Sequence, residues 1–263
     1  MSDDAILFSV DAGVARIKLN RPDRLNSFND AMHAQLRQAL DRVKTDTTVR
    51  VLLLTGSGRG FCAGQDLADR AVAPGGTGVD LGASIGRNYM PLVLTLRALP
   101  LPVVCAVNGV AAGAGANIAL ACDIVIATQS ASFIQAFCKI GLIPDSGGTY
   151  WLPRLVGTAR AMGLALLGDK LSAEQAEAWG LIWKCVDDAQ FESAVEQLVG
   201  QLAQAPTKGL AATKHAIYAA EGHLLDQQLA MEREVQRMLG NSEDYREGVA
   251  AFAGKRQPQF KGR

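Results

Sequence analysis

PVVCAVNGVAAGAGANIALACD, residues Pro102 to Asp123, is the stretch whose reading decides the fold. Val103 to Val107 is a short apolar run opened by Pro102, and glycines follow at 109, 113 and 115. The pattern predicts a buried strand, a glycine turn and a helix that starts near Ala114. Glycine has no Cβ and lets backbone come close to a ligand. The first amides of a helix have no partner inside it and carry partial positive charge. An anionic oxygen suits that place, although a close-packed strand-to-helix crossover with no ligand fits the same residues.

Upstream, Ile6 to Leu19 alternates as a hairpin about Asp11 to Gly13, and Asp30 to Lys44 carries Met32, Leu36, Ala39, Leu40 and Val43 on one helical face. Val49 to Leu54 is a continuous apolar run suited to a buried parallel strand, after which GSGRGFCAGQDL breaks the period. Arg70 to Gly86, rich in Gly and Pro, reads as a mobile lid, and Arg87 to Leu99 as a helix. Downstream, Ile124 to Ala127 and Ser132 to Ala136 read as strands. Ala159 to Leu167 is helical, and Ser172 to Trp179 opens with a Ser172/Gln175 capping box. Leu181 to Val186 is a last short strand before helices at Asp188 to Gln204, Pro206 to Glu221, Leu225 to Leu239 and Ser242 to Ala253. Strand and helix alternate, so the fold class is α/β with a parallel-sheet core.

Composition narrows the functions. Lys plus Arg equals Asp plus Glu at 26 each, which leaves no global field to recruit nucleic acid or an anionic membrane. Any anion is bound locally. Cys62, Cys105, Cys122, Cys138 and Cys185 form no CxxC pair and sit mostly in apolar runs, as core thiols of a reduced protein. MSDDAILFSV lacks a basic and then apolar leader, and no apolar run reaches the roughly 18 residues of a spanning helix, so a cytoplasmic protein is expected. GAGANI at Gly113 to Ile118 lacks the third glycine of a dinucleotide fingerprint, no G-K-[ST] follows a glycine loop, and no metal cluster assembles. GASIG at Gly82 to Gly86 has the G-x-S-x-G form of a nucleophile elbow without the preceding strand. His33 falls on the polar side of its helix, and His215 and His223 fit surface or packing roles.

Three further blocks lie in a telling order around the organising stretch: NRPDRLNSF at Asn20 to Phe28, FCAGQDL at Phe61 to Leu67 and IGLIPDSGGT at Ile140 to Thr149. With them the chain resembles the crotonase superfamily, the enoyl-CoA hydratase/isomerase fold, over almost its whole length. The resemblance implies a ββα superhelix at residues 1–200 carrying an acyl-CoA site, and a helical region at 201–263 packing on neighbouring subunits as a trimer or a dimer of trimers. It implies an oxyanion hole made by the backbone N–H groups of Gln65 and Ala114, where side-chain identity matters little. It implies no cofactor, since CoA is part of the substrate.

Hydratases of the superfamily use two glutamates. Here Asn117 stands at the first position and Phe137 at the second, and neither exchanges a proton, which argues against hydration. Asp145 remains as the acid at a catalytic position of certain isomerases and of a dehalogenase, and it also reads as an N-cap for a helix from Ser146 to Leu155. The implied activity is isomerisation of an acyl-CoA thioester, on a ring epoxide or a 3-enoyl chain, with Asp145 as general acid and base. A hydratase and a non-catalytic acyl-CoA-binding relative are the alternatives. Substrate contacts are expected from Arg24, Ala63, Asp66, Leu67, Gly113 and Phe137, with Asp66 as a loop-shaping acceptor. Lys255 and Arg256, in a basic tail, are expected to reach the phosphate of a neighbouring CoA unless the tail is simply solvated.

Overall fold

The computed structural model describes residues 4–70 and 80–262. β1 (Ile6–Asp11) and β2 (Val14–Leu19) pair antiparallel from Ile6 opposite Leu19 to Asp11 opposite Val14. The link is Ala12 and Gly13 at φ 47° and 79°, the two left-handed positions a twisted hairpin favours. Asn29 caps α1 (Asp30–Thr45) by accepting the Met32 amide at 2.9 Å, and Met32, Leu36, Ala39, Leu40 and Val43 are buried as predicted.

β3 (Val51–Gly56) leads to β4 (Gly60–Cys62). The helical run beyond it begins at Leu81, earlier than the expected Arg87: α2 (Leu81–Ser84), a π turn (Ile85–Tyr89) and α3 (Met90–Ala98) are continuous. Of the segment read as a lid, residues 71–79 lie outside the described residues. GASIG therefore falls in helix, not on a strand-to-helix elbow.

The organising stretch holds one strand more than the pattern predicts. β5 (Val103–Val107) is followed by β6 (Val110–Ala112) before α4 (Ala114–Leu120) begins. β7 (Ile124–Thr128) and β8 (Ser132–Ile134) repeat that step. α5 (Gly148–Leu167) merges the two predicted helices across a break at Gly157. β9 (Lys170–Ser172), α6 (Ala173–Ala178) and β10 (Lys184–Val186) complete the α/β part, with Ser172 capping α6 by accepting the Gln175 amide.

Two sheets result. The larger has the order β1-β2-β3-β5-β7-β10 and the smaller β4-β6-β8-β9, parallel throughout except at the β1/β2 and β8/β9 edges. The pairs β3/β4, β5/β6 and β7/β8 thus each give one strand to the larger sheet and the next to the smaller, which is the ββα repeat. The continuous apolar runs reflect a sheet covered on both faces. Leu52, Leu54, Val103, Cys105 and Val107 face the main core with α1, whereas Val51, Leu53, Val104 and Ala106 face α7 (Phe191–Gln204). Burial of Phe191, Val195 and Val199 against that second face contributes roughly 1.5–3 kcal/mol for each side chain.

α8 (Thr207–Ala219), α9 (Leu225–Leu239) and α10 (Glu243–Ala253) form the C-terminal part. α8 is anchored by Lys214, whose ammonium lies 2.9 Å from Asp123 and donates to the carbonyls of Leu96 and Leu101 at 2.9 and 3.3 Å. No helix among the described residues is long and apolar enough to cross a membrane.

Candidate active site

The FCAGQDL loop is braced from below by Asn26, a fully buried side chain that sequence reading missed. Leu25 and Asn26 turn the chain with φ of 48° and 55°. The Asn26 amide then donates to the carbonyls of Ser57, Gly60 and Phe61 at 2.9, 2.8 and 3.1 Å, and its oxygen accepts the Arg21 amide. Asparagine tolerates this left-handed backbone, and its planar amide spans three strands' ends at once. The only sequence signal was the LNSF block itself. Beyond the brace, the Ala63 amide bonds the Leu25 carbonyl, the Phe28 amide bonds the Gly64 carbonyl at 2.7 Å, and the Asp66 amide bonds the Phe28 carbonyl at 2.9 Å.

This ladder carries Gln65 to the head of α4. Gly64 adopts φ 89°, and a Cβ placed on it would stand 2.9 Å from the Ala112 carbonyl oxygen and 3.3 Å from the Ala114 nitrogen. Only glycine allows so close an approach. Gly113 (φ 54°) turns the chain out of β6 so that Ala114 is the first residue of α4, while its own amide is taken by the Ile134 carbonyl at 2.8 Å. The two loops that carry the expected oxyanion amides are therefore in van der Waals contact. Phe137, only 7% exposed, has its ring edge 3.8 Å from where a Cβ on residue 113 would stand, and so walls the turn. The Gln65 side chain is itself held: its amide nitrogen donates to the carbonyls of Phe28 and Asp66 at 3.0 and 3.3 Å, and its oxygen accepts the Tyr89 hydroxyl at 2.7 Å.

Asp66 is a loop-shaping acceptor, as its place in the motif implied. Its carboxylate accepts from the Arg21 guanidinium at 3.0 Å and from the Ala68 amide at 3.2 Å. Burial raises its pKa as the largest single effect, yet the Arg21 bond, the Ala68 amide and the charges of Arg21 and Arg24 together hold it below the usual carboxylate value. Arg24 itself is exposed in the short turn Pro22–Arg24, and Leu67 is exposed as well.

Asn117, at the position of the first hydratase glutamate, has no exposed surface. Its Nδ2 donates to the Asp145 carbonyl at 2.8 Å, and its Oδ1 accepts the buried Gln135 amide at 2.8 Å. Because Asn117 sits one turn after Ala114, this tie brings the Asp145 segment to the same end of α4. Asp145 is half-buried, with its Oδ1 accepting the Ser146 hydroxyl at 3.0 Å. The structure corrects the N-cap expectation. Ser146 and Gly147 both take left-handed backbone, φ 50° and 85°, so α5 starts only at Gly148 and no side chain caps it. Trp151 closes the turn by donating from its indole to the Ser146 carbonyl at 3.2 Å.

One more expectation fails. His33 is 5% exposed and not polar-faced: its ring stacks on Phe28 at 4.8 Å and meets Tyr89 edge-on at 4.6 Å. Arg256 is exposed and is paired within its own chain. It forms a bidentate pair with Glu247 at 2.6 and 2.8 Å, which lowers the Glu247 pKa to about 2, and the tail continues back onto α10 through Asp244, which accepts the Lys261 and Gly262 amides. Lys255 remains exposed. Of the thiols, Cys62 is fully buried and burial pushes it up to about 12.

Twin sheets in ββα repeat, with two glycine loops meeting at a helix head, define the class, and the enoyl-CoA hydratase/isomerase family profile matches residues 9–263; the chain belongs to that family. It is 61% identical over 258 residues, 98% of each chain, to the 1,2-epoxyphenylacetyl-CoA isomerase of Escherichia coli (strain K12). It is also 37% identical to the 2,3-dehydroadipyl-CoA hydratase of the same organism, over 95% of this chain and 96% of that one. Among solved structures, the enoyl-CoA hydratase from Bacillus anthracis superposes with a TM-score of 0.90 at 32% identity, covering 98% of this chain and 100% of the other.

Proposed function

We propose that this protein is a cofactor-independent isomerase of acyl-CoA thioesters. Its main substrate is 2-(1,2-epoxy-1,2-dihydrophenyl)acetyl-CoA, converted to an oxepin-CoA in phenylacetate breakdown, and it also moves a 3-enoyl double bond to the 2 position. The observation that carries the reading is Asn117: the place of a hydratase acid is a locked, fully buried amide that grips the Asp145 carbonyl. The 61% identity to an isomerase of that name supports the substrate.

In this reading the Gln65 and Ala114 N–H groups receive the thioester oxygen, each worth roughly 2.7–4 kcal/mol as negative charge develops there. Asp145 takes the α-proton, the electron pair passes into the conjugated system as a dienolate, and Asp145 returns the proton at the γ-carbon. No atom is gained or lost. With the ring epoxide, the bond between the two epoxide carbons opens to the seven-membered ring, and the new double bond lies next to the thioester. Phe137, Gly113 and Leu67 line the acyl path, Ala63 and Asp66 shape its loop, and Arg24 and Lys255 meet the CoA phosphates. The exposed apolar side chains Leu225, Leu229, Met238, Val249 and Phe252 on α9 and α10 support a homo-oligomer, a trimer or a dimer of trimers, that covers them.

The 37% identity to a hydratase keeps water addition as the second reading. Incubating the enzyme with ring epoxide, 3-enoyl and 2-enoyl thioesters separates the two by mass. Isomers of unchanged mass are expected from the first two substrates, and uptake of one water by the 2-enoyl thioester at a comparable rate would overturn the proposal.

A further inference from the structure

Tyr89 is 1% exposed and ends the π turn Ile85–Tyr89, in which the Met90 amide reaches back five residues to the Ile85 carbonyl. Pro91 explains the turn. A proline in the first turn of α3 has no N–H and would press its ring on the carbonyl four residues earlier, and a widened turn ahead of it relieves that clash. The turn sets Tyr89 edge-on to Phe28 and His33 at 5.6 and 4.6 Å, with its hydroxyl donating to Gln65 Oε1 at 2.7 Å.

The consequence lies at Gln65. Its side chain is held at the oxygen by Tyr89 and at the nitrogen by the Phe28 carbonyl, while the peptide units on either side, at Gly64 and Asp66, are bonded to the backbone of Phe28. The aromatic cluster needs only a ring at position 89, and phenylalanine would fill it. The hydroxyl adds an anchor, since it holds the far end of the Gln65 side chain and so opposes rocking of the loop residue whose N–H receives the thioester oxygen. A donor turned by some tens of degrees loses much of its strength. We infer that Tyr89 is a positioning residue that aims the Gln65 N–H through the Gln65 side chain and so sets how strongly the thioester carbonyl is polarised. This rests on the oxyanion hole proposed above.

Tyr89→Phe removes the hydroxyl and keeps the ring. Isotope-edited infrared spectroscopy of a bound acyl-CoA labelled with 13C at the thioester carbonyl reads polarisation directly. In the wild-type enzyme the stretch falls below that of the free thioester. In the variant this shift shrinks and kcat drops about tenfold, the equivalent of one neutral hydrogen bond, while KM changes by less than about twofold because the loss is felt mainly in the transition state. A hydroxyl that only stabilises the fold would lower the melting temperature and leave the stretch and kcat of the folded enzyme unchanged, and that result overturns the inference. A wild-type stretch equal to that of free thioester overturns the oxyanion hole and this inference with it. Should Tyr89→Phe not fold, Gln65→Met keeps the length, removes the side-chain hydrogen bonds to Phe28, Asp66 and Tyr89 and carries the same two outcomes.

Discussion

Asn117→Asp replaces an amide by a carboxyl of the same shape in a fully buried place, and the two groups that grip position 117 decide which protonation state the new side chain adopts. One end faces an acceptor, the Asp145 carbonyl at 2.8 Å, and the other faces a donor, the Gln135 amide at 2.8 Å. A protonated carboxyl satisfies both, with its O–H replacing the amide donor. An ionised one sets a charge against a carbonyl, and neither neighbour is a cation, so the cost is roughly 3–5 kcal/mol for an uncompensated buried charge. The folded protein therefore holds the proton above the unfolded pKa of about 3.9. Native protein then binds more protons than unfolded protein, so stability falls as pH rises. The variant should match the wild type near pH 4, lose about 1.4 kcal/mol per pH unit above that, and level off roughly 3–5 kcal/mol lower by about pH 7. Urea unfolding of both proteins at matched concentration from pH 4 to 8 reads this difference, and the groups common to both cancel. A difference that stays flat and within about 0.5 kcal/mol, the usual range of a surface change, would refute the buried donor-and-acceptor role of Asn117.

Gly64→Ala forces a Cβ to 2.9 Å from the Ala112 carbonyl oxygen at φ 89°, so the oxyanion loop must move; kcat should fall by about 10²–10³, as when one donor is lost, in a variant that circular dichroism shows still folded. Cys62, buried and raised to about 12, should resist iodoacetamide at pH 8 in the native protein and react only on unfolding. Mass spectrometry of the labelled peptides checks this, and labelling of Cys62 in the native state would contradict the packing described.

The hairpin, α1, β3 and the C-terminal helices were legible because their patterns run for six residues or more. Most of the second sheet was not: β8 falls inside the strand read at Ser132 to Ala136, but β4, β6 and β9 have three residues each and too little length for alternation to register. Their identity comes from pairing across the fold. At the site, motif order located the loops of Gln65, Ala114 and Asp145, but three local features depended on distant partners. His33 reads as polar by type, and only the rings of Phe28 and Tyr89 make its place apolar. Asp145 looks like a cap until Ser146 and Gly147 take left-handed backbone and postpone the helix. The tail looks uniformly basic until Glu247 and Asp244, earlier on α10, claim it.

In the proposed mechanism Asp145 alone carries the proton. Turnover of Asp145→Asn on the ring epoxide and on a 3-enoyl thioester tests it most directly, because the amide keeps the size of the side chain and can still accept the Ser146 hydroxyl at Oδ1 but cannot take up a proton. A loss of at least about 10²-fold in kcat, the lower range for a general base, is expected, with thioester binding nearly intact. A variant that keeps more than about a tenth of wild-type kcat, well short of that loss, would place the proton transfer on another group and contradict the account.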